Sequence, residues 1–263
     1  MVRILALLLV VISGAAQALE SVTLQLKWRH QFQFAGYYAA VEKGYYRDAG
    51  LDVTLVEATP ATNVIQEVIA GRAQFGVGTS DLLLARNQAP VVALAVIFQH
   101  SPLILLARTD RAGNLHELAG KTLMIEAHSE ELVAYLRNEG IPPERLSILP
   151  HSQNISDLIE GKVTAMSAYS TTEPYLLRRA GGGTIEFSPR AVGIDFYGDN
   201  LFTSKQELKQ HPERVRAFRA ASLRGWEYAM QHPDEIIALI LSRYNTQGLD
   251  RDFLTFEASR TAQ

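Results

Sequence analysis

Residues 22–57, VTLQLKWRHQFQFAGYYAAVEKGYYRDAGLDVTLVE, decide the fold. VTLQLKW (22–28) alternates apolar and polar residues, as a strand with one buried face does. AGYYAAVEKGYYRDAG (35–50) predicts a helix that stops at Gly50, and LDVTLVE (51–57) predicts a second strand. Strand, helix and strand joined by short connections form the unit of a parallel sheet. Its first junction is crowded with rings: Trp28, His30, Phe32, Phe34, Tyr37 and Tyr38 all fall within WRHQFQFAGYY.

The same alternation runs outward from this unit. ATNVIQEVIAG (61–71), AQFGVG (73–78), TSDLLLARNQ (79–88) and VVALAVIFQ (91–99) continue it as helix, strand, helix and strand. A second α/β unit extends from LAGKTLMIE (118–126) to TIEFSP (184–189), and the chain is almost wholly helical from Ser204 onward. We therefore expect an α/β protein of two lobes, residues 19–105 with 201–263 and residues 106–200. The crossing strands are expected near 101–109 and 190–203, with the helical tail packed on the first lobe. The final FLTFEASRTAQ stops inside a helix-competent stretch, from which a longer natural chain or ancestor is expected.

Residues 1–18, MVRILALLLVVISGAAQA, combine one Arg, a short apolar run and an Ala-Gln-Ala exit, the pattern of a cleavable export signal. The apolar run is well short of the roughly 20 residues a membrane-spanning helix needs. Export of a chain with no cysteine fits a bacterial periplasm better than a disulfide-stapled extracellular module. The formal net charge of −3 gives no electrostatic footprint for nucleic acid or for an anionic membrane. No direct membrane insertion is expected after signal cleavage.

Motifs of catalysis are missing. There is no phosphate-binding G-x-x-x-x-G-K-[ST], no G-x-S-x-G and no H-E-x-x-H. Gly76-Val77-Gly78 reads as a tight strand-to-helix turn. The seven histidines are scattered without i, i+4 pairs, so no metal site and no cofactor are expected.

Polar and aromatic residues instead gather where strands hand over to helices, the edge at which open parallel sheets bind ligands. The candidate ligand-binding set is Trp28, Phe34, Tyr37, Tyr38, Asp81, Gln99, His100, Tyr169, Glu173, Asp195 and Tyr197. Glu126 and His128 lie at the same edge. Alternative roles exist for several. Phe32 and Phe34 also suit a core, Asp81 and Glu173 suit the first turns of helices, and Asp195 and Asp199 suit turns. Taken together, rings that can sandwich a flat heterocycle meet carboxylates that can accept from its amino groups.

LKWRHQFQFAGYYAAVEKGYYRDAGLDVTLVE, GRAQFGVGTSDLLLAR and PVVALAVIFQHSP resemble the thiamine pyrimidine synthase-like family of type II periplasmic binding proteins. Alkanesulfonate- and nitrate-binding proteins are its more distant relatives. FQHSP, TTEP and GIDFYGDN look most like the members that serve as extracytoplasmic sensor domains, and like uptake proteins for pyrimidine precursors of thiamine. The resemblance implies two lobes that close on a small solute such as a thiamine pyrimidine precursor. The partner would be an ABC permease or a signalling module. It also implies that Trp28, Tyr37 and Tyr38 stack on the ligand while Glu173 meets its amino group. The fungal synthases of the family carry a cysteine-rich iron motif and consume a histidine and pyridoxal phosphate. A chain without cysteine departs from that chemistry, so a synthase-type enzyme is the alternative and a non-enzymatic binding protein the expectation.

Overall fold

A computed structural model describes residues 18–59, 61–126 and 129–262. The expected signal and His128 lie outside the described residues, apart from Ala18. Among the described residues, ten strands form two five-stranded sheets. The first contains β1 (Glu20–Gln25), β2 (Leu51–Val56), β3 (Phe75–Gly78), β4 (Val91–Val96) and β10 (Asn200–Ser204), in the order β2-β1-β3-β10-β4. The second contains β5 (Leu103–Arg108), β6 (Thr122–Ile125), β7 (Ser147–Pro150), β8 (Ala165–Tyr169) and β9 (Thr184–Phe187), in the order β7-β6-β8-β5-β9.

The two sheets share one plan. β1 pairs parallel with β2 and β3, and β6 pairs parallel with β7 and β8. One strand in each sheet runs backwards: β10 between β3 and β4, and β5 between β8 and β9. These two are the strands delivered by the crossing segments, which arrive from the opposite lobe and so enter in the opposite sense. β5, which a division at residue 105 would split, belongs wholly to the second sheet.

The crossing segments are tied to each other. Ile97 and Phe98 N–H donate to the Asp199 carbonyl at 2.9 and 3.1 Å, Gly198 N–H donates to Phe98 O at 2.9 Å, and Ser101 N–H donates to Phe196 O at 2.8 Å. Gly198 is required here by space. A Cβ on it would lie 2.8 Å from Phe98 Cβ and 3.1 Å from the His100 carbonyl.

Helices α1 (Ala35–Glu42), α2 (Tyr45–Asp48), α3 (Val64–Ile69) and α4 (Leu82–Ala85) follow strands of the first lobe. The helix expected over 35–50 is broken at Gly44, whose φ of 76° ends α1 and restarts the chain as α2. The second lobe carries α5 (Glu130–Asn138), α6 (Ser156–Ile159) and α7 (Glu173–Arg179). The tail forms α8 (Lys205–Gln210), α9 (Pro212–Gln231), α10 (Pro233–Leu239) and α11 (Arg251–Thr261).

Packing explains the ring-rich junction. α1 lies flush against α9: a Cβ on Gly225 would sit 2.1 Å from the Gly36 carbonyl oxygen. Phe32, Phe34, Tyr37 and Tyr38 are all at 0–1 % exposure in the core that this contact closes. Tyr38 stacks on Tyr244 at 4.3 Å, and Tyr37 meets Trp226 edge-on at 5.7 Å. The tail does pack on the first lobe, but α11 also reaches the second. Its Phe253 and Phe256 rings lie 5.7 and 5.3 Å from Tyr175 on α7, and Asp250 at its start pairs with Arg179.

Candidate functional site

A cleft of about 1200 Å³ opens between the two sheets. The carboxyl ends of strands from both lobes supply its walls. After β1 come Lys27, Trp28 and Arg29; after β2, Ala58 and Thr59; after β3, Thr79 and Asp81. From the other side, Glu126 follows β6, Pro150 to Gln153 end and follow β7, and Tyr169 ends β8. α5 adds Glu130 and Glu131.

Of the expected site residues, Trp28, Asp81 and Tyr169 line this cleft. Trp28 and Tyr169 are half-buried, one on each lobe. Asp81 is partly committed, since its Oδ1 accepts from Thr79 N–H at 3.1 Å and from Thr79 Oγ1 at 2.8 Å.

The others are placed elsewhere. Phe34, Tyr37 and Tyr38 point into the first lobe's core and do not line the cleft, because α9 and α11 come in from the far end of the chain to cover them. Glu173 turns back on its own lobe, where Oε2 accepts from Tyr169 N–H at 2.8 Å. Gln99 and His100 line a smaller cavity of about 450 Å³ behind the crossing segments. Asp195 pairs there with His100 at 2.9 Å and with Arg190 at 3.8 Å, and Tyr197 is exposed. These four follow the crossing segments, whose backbones turn the side chains away from the cleft.

A polar network missed in the sequence joins the lobes at the cleft base. The Lys27 ammonium donates to the Tyr169 hydroxyl and lies 4.5 Å from the centre of its ring. Asp199, on a crossing segment and 2 % exposed, faces Lys27 at 3.5 Å and accepts from Tyr169 OH at 3.3 Å and from Gln33 Nε2 at 2.7 Å. Burial pulls the Lys27 pKa down, but Tyr169, Asp199 and Glu126 outweigh it and hold it above the ordinary lysine value. The signal was present in LQLKW, a charged residue closing an apolar strand, but its partner lies 172 residues away by number and nothing local names it.

Two further carboxyls support this base. Glu257 of α11 is fully buried and accepts from the backbone N–H groups of Phe32 at 2.8 Å and Gln33 at 3.1 Å. It therefore clamps the turn that presents Gln33 to Asp199. Burial pushes Glu257 up to about 8 and Glu173 up to about 7. Their ordinary value is 4.5, so folding takes up protons between that value and 7 to 8. Stability is then greatest on the acid side and falls as pH rises through 7 and 8, by up to about 1.4 kcal/mol per pH unit for each group. The thermal midpoint should be lower at pH 8.5 than at pH 6, and Glu257→Gln should flatten the difference. A midpoint that rises over this interval would contradict the assignment.

At the mouth, His151 Nε2–H donates to the Ser167 carbonyl at 2.9 Å and Nδ1 accepts from Gln153 N–H at 2.9 Å, which assigns the tautomer. Gln153 has φ 59°, the one positive-φ residue other than glycine among the described residues. Gly76 and Gly78 belong to β3, and a Cβ on Gly76 would lie 2.6 Å from the Phe202 ring. The expected tight strand-to-helix turn at Gly76-Val77-Gly78 is therefore part of a strand, with its glycines set by packing. Among the described residues no group of three or more His, Asp or Glu side chains is placed to hold a metal ion.

Two α/β lobes joined by paired crossing segments, each sheet holding one reversed strand and a cleft between their carboxyl edges, define the type II periplasmic binding-protein fold. The chain belongs to the NMT1/THI5-like family, whose model matches residues 31–236. It is 28 % identical to the riboflavin-binding protein RibY of Chloroflexus aurantiacus over 240 residues, covering 87 % of this chain and 68 % of that protein. It is 27 % identical to the formylaminopyrimidine-binding protein of Halalkalibacterium halodurans, covering 86 % and 71 %. It is also 22 % identical to the 4-amino-5-hydroxymethyl-2-methylpyrimidine phosphate synthase THI5 of Saccharomyces cerevisiae over 232 residues, covering 81 % of this chain and 68 % of that protein. The aliphatic sulphonate-binding protein SsuA of Escherichia coli superposes with a TM-score of 0.71 at 14 % identity, covering 91 % of this chain and 78 % of that one.

Proposed function

We propose that this chain is an exported, non-enzymatic solute-binding protein whose lobes close on a flat heteroaromatic molecule bearing N–H donors. A thiamine pyrimidine precursor or a flavin belongs to that class. The observation that carries the reading is the inventory of the cleft: aromatic side chains from both lobes, Trp28 and Tyr169, with the carboxylates Asp81, Glu126, Glu130 and Glu131. Rings stack on a planar heterocycle and carboxylates accept from its N–H edge. Sulfonate or nitrate would call for uncommitted cations and converging N–H groups. Of the two cationic side chains among the described lining residues, Lys27 is already engaged by Tyr169 and Asp199, which leaves the exposed Arg29 as a single cation against four carboxylates. The two binding proteins at 27–28 % identity, named for riboflavin and formylaminopyrimidine, support the same ligand class.

The closed form would deliver its ligand to an ABC permease or pass closure to a signalling module. The export signal expected from residues 1–18 supports a periplasmic location, and no helix among the described residues is long and apolar enough to cross a membrane. A thermal-shift panel tests the ligand class. Aminopyrimidines or riboflavin at excess should raise the midpoint, as any ligand selective for the native state does. Stabilisation by sulfonate, nitrate or sulfate alone would overturn the reading. A pyridoxal phosphate absorbance band that stays with the protein after the free cofactor is removed would favour the synthase-type alternative instead.

A further inference from the structure

The first turn of α5 holds a carboxylate that its helix does not need there. In SEELVAYLRNEG, Leu132, Tyr135 and Leu136 form the buried face of the helix, and Glu131 lies on that face at 7 % exposure. An acidic residue in a first turn favours the helix dipole, but the exposed Glu130 beside it serves that purpose without any desolvation. Burying a carboxylate is costly unless its oxygens find donors. Glu131 Oε1 accepts from the Ser101 hydroxyl, and no hydrogen bond from the described residues reaches Oε2. The nearby cation, Lys27, is held by Tyr169 and Asp199. Glu131 lines the cleft on the same lobe as Tyr169.

Its anchor is the hinge itself. Ser101 sits on the first crossing segment, where its N–H donates to Phe196 O on the second at 2.8 Å. Its Oγ also accepts from Leu103 N–H, at 3.2 Å, where β5 begins. A ligand donor that engages Glu131 therefore touches a side chain bonded to Ser101, the residue whose backbone joins the two crossing segments.

We propose that Glu131 is the specificity-determining carboxylate of the cleft, accepting from the amino or N–H edge of the bound heterocycle, with Ser101 as the positioning residue that ties this contact to the hinge. The inference rests on the heteroaromatic reading of the cleft and names which group reads the ligand's edge. Burial raises the Glu131 pKa, consistent with a carboxyl awaiting a donor. A charge-assisted hydrogen bond of this kind is worth roughly 10- to 100-fold in affinity over an analogue that presents an acceptor at the same edge.

The test is a calorimetric titration of the purified protein with 4-amino-5-hydroxymethyl-2-methylpyrimidine and with its 4-oxo counterpart. The wild type should prefer the amino compound at least tenfold. Glu131→Gln keeps the size but can donate, so the preference should vanish or invert. Ser101→Ala should keep the preference and weaken both ligands a few-fold. Glu131→Asp retracts the carboxylate by one methylene and should reduce the ratio, which provides a second reading if the Gln variant folds poorly. An unchanged amino-to-oxo ratio in folded Glu131 variants overturns the proposal while leaving the cleft reading intact. Failure of the wild type to bind either pyrimidine or riboflavin overturns both.

Discussion

Asp199→Ala is expected to lose about 3–5 kcal/mol of folding stability, the cost of removing one partner from a buried charge pair. Asp199 is the acceptor shared by Lys27, Tyr169 and Gln33, and it is 2 % exposed. Without it the Lys27 ammonium keeps its desolvation but loses its nearest counter-charge. In a domain of this length the loss corresponds to a fall in the thermal midpoint of roughly 10 °C. Adding Lys27→Met to Asp199→Ala should recover a large part of it, because the orphaned charge is then removed as well. Urea unfolding of the two single variants and the double variant checks this. Additive losses, or a single-variant loss below about 1 kcal/mol, would show that the network contributes little.

Trp28→Ala is expected to weaken ligand affinity by about 10- to 100-fold, the range of one lost stacking contact on a planar base. Stability should change little, since Trp28 is half-buried and packs at the edge of the core. Tyr37→Phe is the contrasting variant. Its hydroxyl has no hydrogen-bond partner among the described residues and its ring lies in the core, so affinity should be retained. Calorimetry on both, with an aminopyrimidine as titrant, separates the cleft ring from the core rings. Equal losses in the two variants would contradict the placement of Trp28.

The alternation of strands and helices was legible because each depends on local periodicity. The sides of the ring-rich junction were not. WRHQFQFAGYY names six rings but not what covers them, and the cover comes from Trp226, Tyr244 and Glu257 near the end of the chain. Hence the sequence pattern groups Trp28 with Tyr37 and Tyr38, and only the distant cover separates the ring that lines the cleft from the two that lie in the core. In GIDFYGDN the pattern favours Asp195 and Tyr197, whereas both are exposed and Asp199 is buried. The pairing of that segment with residues 97–101 decides the direction, and no single-segment pattern contains it. Glu131 could have been found. A Glu on the same helical face as Leu132, Tyr135 and Leu136 breaks an amphipathic pattern, and such a break marks either an error in register or a functional carboxylate.

The central claim is that a flat N–H-bearing heterocycle sits against Trp28 between the lobes. Tryptophan emission reports on it directly, because Trp28 lines the cleft and the other tryptophan, Trp226, is buried in the first lobe's core. Titration with an aminopyrimidine should give a saturable change in emission that disappears in Trp28→Phe and is not produced by alkanesulfonate or nitrate. A saturable change with those anions and none with the heterocycle would contradict the account.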